Sequence, residues 1–221
     1  MKNGSVLVMN PKNGKIMAMA NYPTYNPADY GKVEKSSVYN NNTATMAYEN
    51  GSVIKSFTMA TGINEGVASP STRYNNTDSI RIEDIVIQNA DLGHTGSITL
   101  QTAMNYSLNT GMVTIGKLLG GGSLNSTARD KIYDYFHNRF GLGQETGIQV
   151  LESKGLLVSP KKAEGNAVRY SNMTFGQGMT TTMIQTANAF SSLVNGGTLY
   201  KPSLIEGIVD ENGKLSKKEP E

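Results

Sequence analysis

The chain has 221 residues, no cysteine and a formal net charge of +2, and 38% of its residues are hydrophobic. A chain of this length buries a core, while the lack of cysteine excludes disulfides, thiol catalysis and thiolate metal sites. The near-neutral charge, without a basic run among aromatic residues, gives no reason to expect nucleic acid as a partner. His94 and His137 by themselves are too few for a zinc site, and the apolar runs are shorter than a membrane span.

The first 50 residues predict a hairpin followed by a loop. Val6 and Val8 alternate with Leu7 and Met9, as in a strand, and Asn10-Pro-Lys-Asn-Gly14 is typical of a turn. Ile16 to Ala20 is then predicted to form a second strand that pairs with the first. Residues 21–50 are polar, rich in Asn, Pro and Tyr, and show no period. We therefore expect a long surface loop there.

The middle of the chain predicts helices. Apolar residues recur at helical spacing in four segments that end at glycines or polar breaks. The stretch 67–96 lacks such a period and contains one short predicted strand, "DIVIQ". The four helices are predicted at about 52–64, 99–106, 110–119 and 125–140.

The last helix is predicted in "MTTTMIQTANAFSSLVNGG", where threonines serve as caps and Gly196 ends the helix. The tail predicts a strand, a turn at Asn212-Gly213 and a solvated end. The predicted fold class is α/β, an antiparallel sheet with helices on it, in a single domain over residues 1–221. The predicted core contains Val6, Val8, Ile16, Phe57, Ile63, Met104, Val113, Ile115, Leu118, Ile184, Phe190 and Leu193.

A serine precedes a lysine by three positions at the start of the first predicted helix, in Ser52-Val-Ile-Lys55. The lysine lies on the same helix face and can accept the proton of the hydroxyl, which is a weak nucleophile until it loses that proton. The helix N-terminus favours an alkoxide and disfavours an ammonium. However, serine is also a common helix cap, and Ser159-Pro-Lys-Lys162 repeats the pattern. The pattern by itself therefore favours an ordinary helix start.

A second candidate is Ser107-Leu-Asn109 in "YSLNTG", at a turn between two predicted helices. The serine can relay a proton, and the asparagine can hold a substrate amide or orient a lysine. A helix cap at an ordinary break is the alternative. The similar Ser123-Leu-Asn125 lies in a glycine-rich loop, and we interpret it as a cap for the next helix.

Four segments together, in the same order, resemble the penicillin-binding transpeptidases. "YENGSVIKSFTMATGINEG" is similar to their nucleophile helix, and "LQTAMNYSLNTGMVTIGKLLG" to their second motif. "VLVMNPKNGKIMAMANYPTYNP" resembles their opening hairpin, and "MTFGQGMTTTMIQTANAFSSLVNGGTLYKP" the segment that leads to their third motif. The resemblance covers nearly the whole chain and is nearest the class B, high-molecular-weight type, with its penicillin-binding/β-lactamase-like serine transpeptidase fold.

The resemblance implies a role for each matching residue. Ser52 would attack the D-Ala-D-Ala carbonyl of a peptidoglycan stem peptide, and its backbone N–H would form half of an oxyanion hole. Lys55 would be the general base, and Ser107 would pass the proton to the leaving D-alanine. Asn109 would bind the substrate amide and Lys55. β-Lactam antibiotics would acylate the same serine, and no metal or organic cofactor is implied.

The resemblance also implies a bacterial parent protein anchored in the cell membrane and acting on its extracytoplasmic face, with cell-division or elongation proteins as possible partners.

The third motif of the family, Lys-Thr/Ser-Gly, does not follow before Glu221. His94-Thr-Gly96 precedes the second motif, so we interpret His94 as a loop residue. Asn50 and Ser56 replace prolines that are frequent in the family, and neither takes part in the chemistry. We therefore expect a fragment without the C-terminal strands, weak or inactive as a transpeptidase on its own.

Four other functions compete with this interpretation. A β-lactamase or a D,D-carboxypeptidase of the same fold would form the same acyl-enzyme. A catalytically silent scaffold domain would retain the fold without the chemistry, although the presence of Ser52, Lys55, Ser107 and Asn109 argues against it. A Ser-His-Asp hydrolase fits poorly, because the sequence contains no G-x-S-x-G elbow.

Overall fold

A computed structural model of the chain describes residues 2–221. The strands are β1 (Gly4–Met9), β2 (Ile16–Tyr22), β3 (Ala47–Tyr48), β4 (Arg73–Asn76), β5 (Ser79–Ile82), β6 (Ile85–Gln88), β7 (Gly96–Thr99), β8 (Thr181–Thr182), β9 (Gly207–Val209) and β10 (Leu215–Lys217). The helices are α1 (Asn42–Thr45), α2 (Lys55–Asn64), α3 (Leu100–Asn105), α4 (Asn109–Leu119), α5 (Ser126–Tyr133), α6 (Ala167–Met173) and α7 (Met183–Val194). Short 3₁₀ segments lie at Pro27–Lys32, Ser36–Tyr39 and Gly51–Ile54, and a π-helical segment, Asp134–Arg139, continues α5.

The predicted α/β class and the antiparallel pairing are confirmed. Across residues 2–221 the strands form five two-stranded antiparallel sheets, β1–β2, β3–β8, β4–β7, β5–β6 and β9–β10. The chain divides into two compact units. The first contains the described residues up to Tyr48, Phe140–Leu156 and Thr181–Glu221, and the second contains Glu49–Arg139 and Leu157–Thr180. That the chain is one domain stays a prediction.

The hairpin and helix α7 organise the first unit. One face of β1 and β2 packs against the buried cluster of Ala44, Ile148 and Ile184. Helix α7 begins in a capping box, in which the side chains of Thr182 and Gln185 each bond the backbone N–H of the other. This reciprocal cap fixes the start of the helix where the predicted threonine cap lies.

Three core predictions for the first unit are wrong. Val6 and Val8 are 60% and 48% exposed, because they lie on the hairpin face opposite the buried cluster, and Phe190 is 40% exposed on α7. The predicted loop over 21–50 is also partly wrong, since its end forms α1 and β3 with Ala44 fully buried. The alternation in β1 was apolar on both faces, so the sequence did not distinguish the covered face from the open one.

Helix α4 is the centre of the second unit. Its apolar residues Met112, Val113 and Ile115 are fully buried, as is Phe57 of α2. Helix α2 packs closely on α4, since a Cβ at Gly62 would lie 2.6 Å from the Ile115 side chain. The close packing of α2 on α4 brings the segment that starts α2 close to the connection between α3 and α4.

Other predictions for the second unit need correction. Ile63, predicted in the core, is 48% exposed because it lies on the outer face of α2. The stretch 67–96 contains β4, β5 and the start of β7 in addition to the predicted strand β6, and α6 was not predicted. These elements are only four to seven residues long, too short for a clear helical or strand period.

Candidate active site

Ser52 is exposed in the 3₁₀ turn Gly51–Ile54, directly before α2. Gly51 opens the turn at a φ of 57°, which residues with a Cβ rarely adopt. Lys55 is the first residue of α2 and is only 3% exposed. An exposed hydroxyl and a buried amine therefore occupy the two ends of one tight turn.

Ser107 lies between α3 and α4 in a left-handed conformation with a φ of 53°. This conformation is uncommon for a residue with a side chain and costs about 1–2 kcal/mol. Lys55 Nζ contacts both the Ser107 carbonyl oxygen and the Ser107 hydroxyl. The unusual backbone thus coincides with the point where one residue offers two oxygens to the same amine.

A chain of hydrogen bonds joins the three predicted catalytic residues. Lys55 Nζ donates to Ser107 Oγ at 2.9 Å and to the Ser107 carbonyl oxygen at 2.5 Å. Ser107 Oγ in turn donates to Ser52 Oγ at 3.0 Å. Within residues 2–221, the hydrogen bonds of Lys55 Nζ go to Ser107 and not to Ser52. The lysine reaches the candidate nucleophile through the second serine.

Burial lowers the pKa of the Lys55 amine from its ordinary value of 10.5 to about 8. Removing the charged group from water disfavours the ammonium. A substantial fraction of the amine is therefore neutral at mildly alkaline pH, where it can accept a proton.

Asn109, the fourth predicted site residue, is the first residue of α4. Its side-chain amide donates to the backbone carbonyl of Gln88, at the end of β6, at 2.8 Å. In the described part of the chain, the hydrogen bonds of this side chain do not include Lys55. Asn109 therefore lies outside the hydrogen bonds that join Lys55, Ser107 and Ser52. The Gln88 carbonyl of β6 fixes the orientation of its side chain.

A glycine loop packs on the Ser52 turn, and sequence reasoning did not identify its role. Gly51 N–H donates to the Gly176 carbonyl at 3.1 Å, and Gly178 N–H donates to the Glu49 carboxylate at 2.7 Å. A Cβ on Gly176 would lie only 2.0 Å from the Gly51 carbonyl oxygen. The repeated glycines of "FGQG" were a signal in the sequence, although they did not indicate what they contact.

The residues that the sequence analysis set aside lie in other surroundings. Lys162 is exposed, and its N–H closes a turn on the Ser159 carbonyl. The Asn125 side chain accepts from Ala128 N–H and caps α5, as predicted. His94 lies in the loop before β7, with Nε2 3.1 Å from an Asp91 carboxylate oxygen.

Two negative observations concern metals and membranes. Nowhere in residues 2–221 do three His, Cys, Asp or Glu side chains cluster as metal ligands. Among the same residues, no helix combines the length and the apolar character needed to cross a bilayer.

Comparisons with known proteins identify relatives along most of the chain. Stage V sporulation protein D of Bacillus subtilis is 33% identical over 207 residues, which cover 92% of this chain and 30% of the relative. Peptidoglycan D,D-transpeptidase FtsI of Escherichia coli K12 is 27% identical over 208 residues, which cover 94% of this chain and 33% of the relative. The chain thus spans about a third of the length of these curated relatives.

Solved structures and a family profile agree with these relatives. The crystal structure of penicillin binding protein 3 from Mycobacterium tuberculosis, complexed with aztreonam, superposes with a TM-score of 0.85 at 26% identity, covering 99% of this chain and 47% of that one. A putative peptidoglycan glycosyltransferase from Atopobium parvulum gives a TM-score of 0.78, also at 26% identity, over 98% of this chain and 47% of that one. The profile of the penicillin binding protein transpeptidase domain matches residues 4–221. The chain belongs to the penicillin-binding protein transpeptidase domain family.

Proposed function

We propose that this chain supplies the nucleophile side of a peptidoglycan D,D-transpeptidase site, with Ser52 as the acylated residue. The observation that carries the proposal is the hydrogen-bond chain from Ser52 Oγ through Ser107 Oγ to the buried Lys55 amine. A serine hydroxyl needs a base to become a nucleophile, and a base with a lowered pKa suits that task near neutral pH.

The proposed acylation begins with Lys55 neutral, when the two hydrogen bonds reverse so that Ser52 Oγ donates to Ser107 Oγ and Ser107 Oγ donates to Lys55 Nζ. The Ser52 proton moves to Ser107 Oγ while the Ser107 proton moves to Lys55 Nζ. Ser52 Oγ then bonds to the carbonyl carbon of the penultimate D-alanine, and a tetrahedral oxyanion forms, which the Ser52 N–H stabilises in part. When the C–N bond breaks, the proton returns through Ser107 to the leaving D-alanine amine. The amine of a second stem peptide attacks the ester in the reverse sequence, forms the cross-link and frees Ser52.

The substrates and partners belong to the same proposal. Stem peptides ending in D-Ala-D-Ala are the donors, and Asn109 holds the substrate amide. β-Lactams acylate Ser52 as substrate mimics, which the aztreonam complex of the M. tuberculosis neighbour supports. The parent protein would work on the extracytoplasmic face of the bacterial membrane beside cell-division or elongation proteins.

The proposal is tested by incubating the purified chain with benzylpenicillin and measuring intact mass over hours. We expect a slow mass increase equal to one penicillin, located on the peptide that contains Ser52. Ser52→Ala should abolish this adduct without changing the circular dichroism spectrum. Labelling that persists in Ser52→Ala, or that lies on another residue, would reject the assignment.

The rate of labelling tests whether this chain alone is a weak acyl-transfer enzyme. No Lys-Thr-Gly or Lys-Ser-Gly follows Ser107 in the 221-residue sequence, so the other oxyanion donor and the substrate-carboxylate site of the family are not supplied by it. We predict that this chain alone is acylated far more slowly than an ordinary penicillin-binding protein. Labelling by a fluorescent penicillin at ordinary rates would contradict this prediction.

The lifetime of the adduct separates the transpeptidase from a β-lactamase. A β-lactamase must activate a water molecule that hydrolyses the acyl-enzyme. Glu49, a carboxylate three residues before Ser52, accepts a hydrogen bond from Gly178 N–H, which holds it against the glycine loop. We expect an adduct stable for hours, whereas rapid loss of the adduct with release of penicilloate would favour a β-lactamase.

A further inference from the structure

Helix α4 begins without a cap of its own. Its N-cap residue is Leu108, which is fully buried and has no side-chain oxygen to accept a hydrogen bond from the first turn. Helices normally satisfy one of their first N–H groups with a Ser, Thr, Asn or Asp side chain at this position. The helix that starts with Asn109 therefore needs an acceptor from elsewhere.

Asn89, the residue after β6, supplies that acceptor. Its Oδ1 atom accepts from Thr110 N–H at 3.0 Å and from Thr110 Oγ1 at 3.2 Å. Thr110 is the second residue of α4, which is where a cap side chain normally bonds. The neighbouring Gln88 carbonyl accepts from the Asn109 amide at 2.8 Å. Gln88 and Asn89 thus hold Asn109 and Thr110, the first two residues of α4.

The Asn89 side chain is itself fixed. Asn89 is 4% exposed, and its amide donates to Asn76 Oδ1 and to Asp78 Oδ1, both at 3.3 Å. Asp78 in turn accepts from Gly93 N–H at 2.8 Å. The hydrogen bond from Gly93 N–H, together with those from the Asn89 and Asn76 amides, lowers the pKa of Asp78, so this acceptor stays ionised.

We propose that Asn89 is a positioning residue of the acyl-transfer site. By capping α4 from β6 it sets where Ser107 and Asn109 stand relative to Lys55. Ser107 lies only three residues before Thr110, and its strained φ of 53° leaves it sensitive to movement of the helix start. The inference rests on the proposed acyl transfer, although the cap itself can be measured without it.

Hydrogen exchange tests the cap directly. In Asn89→Ala, peptides covering the first turn of α4 should exchange at least about tenfold faster, while peptides from its buried last turn keep their protection. The matched control is Tyr170→Phe, which removes one hydrogen bond of a fully buried side chain, to the Val158 carbonyl at 2.8 Å, at another place in the same unit. Equal protection of the first turn in wild type and Asn89→Ala would overturn the proposal.

Acylation by benzylpenicillin tests the positioning role. We expect Asn89→Ala to lower the acylation rate constant about tenfold or more, with little change in the concentration dependence that reports binding. Tyr170→Phe should change that rate less than about twofold, even where its loss of melting temperature is similar. If the acylation rates of the two variants fall only in proportion to their losses of melting temperature, Asn89 has a merely structural role and the proposal is overturned.

Exchanging the side chains of Asn89 and Asp78 controls for the possibility that Asn89 variants simply misfold. Asn89→Asp keeps the acceptor for Thr110 N–H but places a second carboxylate beside Asp78. Combining it with Asp78→Asn restores a donor between the two side chains and the original net charge. The pair should recover much of the rate that Asn89→Asp loses, and no recovery by the pair would count against the proposal.

A wild-type chain that is never acylated would reject the proposed function, while hydrogen exchange would still decide whether Asn89 caps α4.

Discussion

Lys55 and Ser107 are joined twice, since the amine donates to both the carbonyl oxygen and the hydroxyl of the serine at 2.5 and 2.9 Å. The two contacts have different consequences. The carbonyl holds the ammonium in place, because a carbonyl oxygen accepts and cannot give a proton back. The hydroxyl both accepts and donates, so it can connect the amine to Ser52. One residue therefore anchors the base and connects it to the nucleophile.

Substitutions at Ser107 separate its backbone from its hydroxyl. Ser107→Gly relieves the positive φ, whereas Ser107→Ala keeps it, so we expect the glycine variant to be about 1 kcal/mol more stable. Both variants lose the relay, and the rate of penicillin acylation should fall roughly 10²-fold or more in each. Urea unfolding and intact-mass kinetics measure the two effects. Equal stability of the two variants would show that the conformation carries no strain.

The burial of Lys55 predicts a pH-dependent cost in stability. The folded-state pKa of about 8 lies below the ordinary value of 10.5, so the unfolded chain binds more protons between these values. The free energy of unfolding should therefore rise with pH from about 8 to 10.5, and the penalty is complete below pH 8.

Lys55→Met removes this group and serves as the comparison. Relative to that variant, the wild type should gain up to about 3 kcal/mol between pH 7 and 10.5, measured by urea unfolding at each pH. A constant difference between the two proteins across this range would mean that Lys55 titrates normally.

The same pKa predicts the pH dependence of acylation. If the neutral amine is the base, the rate should rise about tenfold from pH 7 to pH 9 and then level off. Intact-mass kinetics with benzylpenicillin give this profile, and Ser52→Ala supplies the background at each pH. A flat profile between pH 6 and 9 would exclude Lys55 as the titrating base.

The glycine loop over the Ser52 turn predicts different effects for two neighbouring glycines. Gly176 and Gly178 both have positive φ, 87° and 71°, so an alanine costs about 1–2 kcal/mol at either. At Gly176 the added Cβ would also meet the Gly51 backbone at 2.0 Å, whereas at Gly178 the nearest atom lies 3.6 Å away.

Gly176→Ala should therefore displace the nucleophile turn. We expect the acylation rate to fall at least about tenfold in Gly176→Ala and to stay near wild type in Gly178→Ala, with melting temperatures measured alongside. Similar acylation rates in the two variants would show that the close approach to Gly51 does not position Ser52.

Local signals predicted the parts of the fold that depend on local chemistry. Asn10 to Gly14 carries a turn signature, and the hairpin forms around it. The Asn125 cap of α5 follows the same logic. The β5–β6 hairpin was missed although "IRI" and "IVI" flank Glu83-Asp84, because a two-residue turn with Glu83 at a φ of 52° has no glycine to mark it.

The site was predictable as a set of residues but not as an arrangement. The spacing of Ser52 and Lys55, and the motif at Ser107, were visible in the sequence together with the resemblance. The left-handed Ser107 and the cap from Asn89, 21 positions before Thr110, were not. Both depend on contacts between segments far apart in the chain, which a linear pattern does not encode.

The division of the chain has a consequence for how it folds. Strand β3 pairs Ala47 with Thr182, so the first unit closes only when segments some 135 residues apart meet. Closing so long a loop is slow compared with forming local helices. Residues up to Tyr48 therefore complete their unit only after Thr181–Glu221 has packed, whereas the second unit does not need that segment to fold. Until then Leu7 and Met19 of the hairpin lack Ile184, which belongs to the buried cluster that covers them in the folded unit, and this apolar face is open to chaperone binding or aggregation.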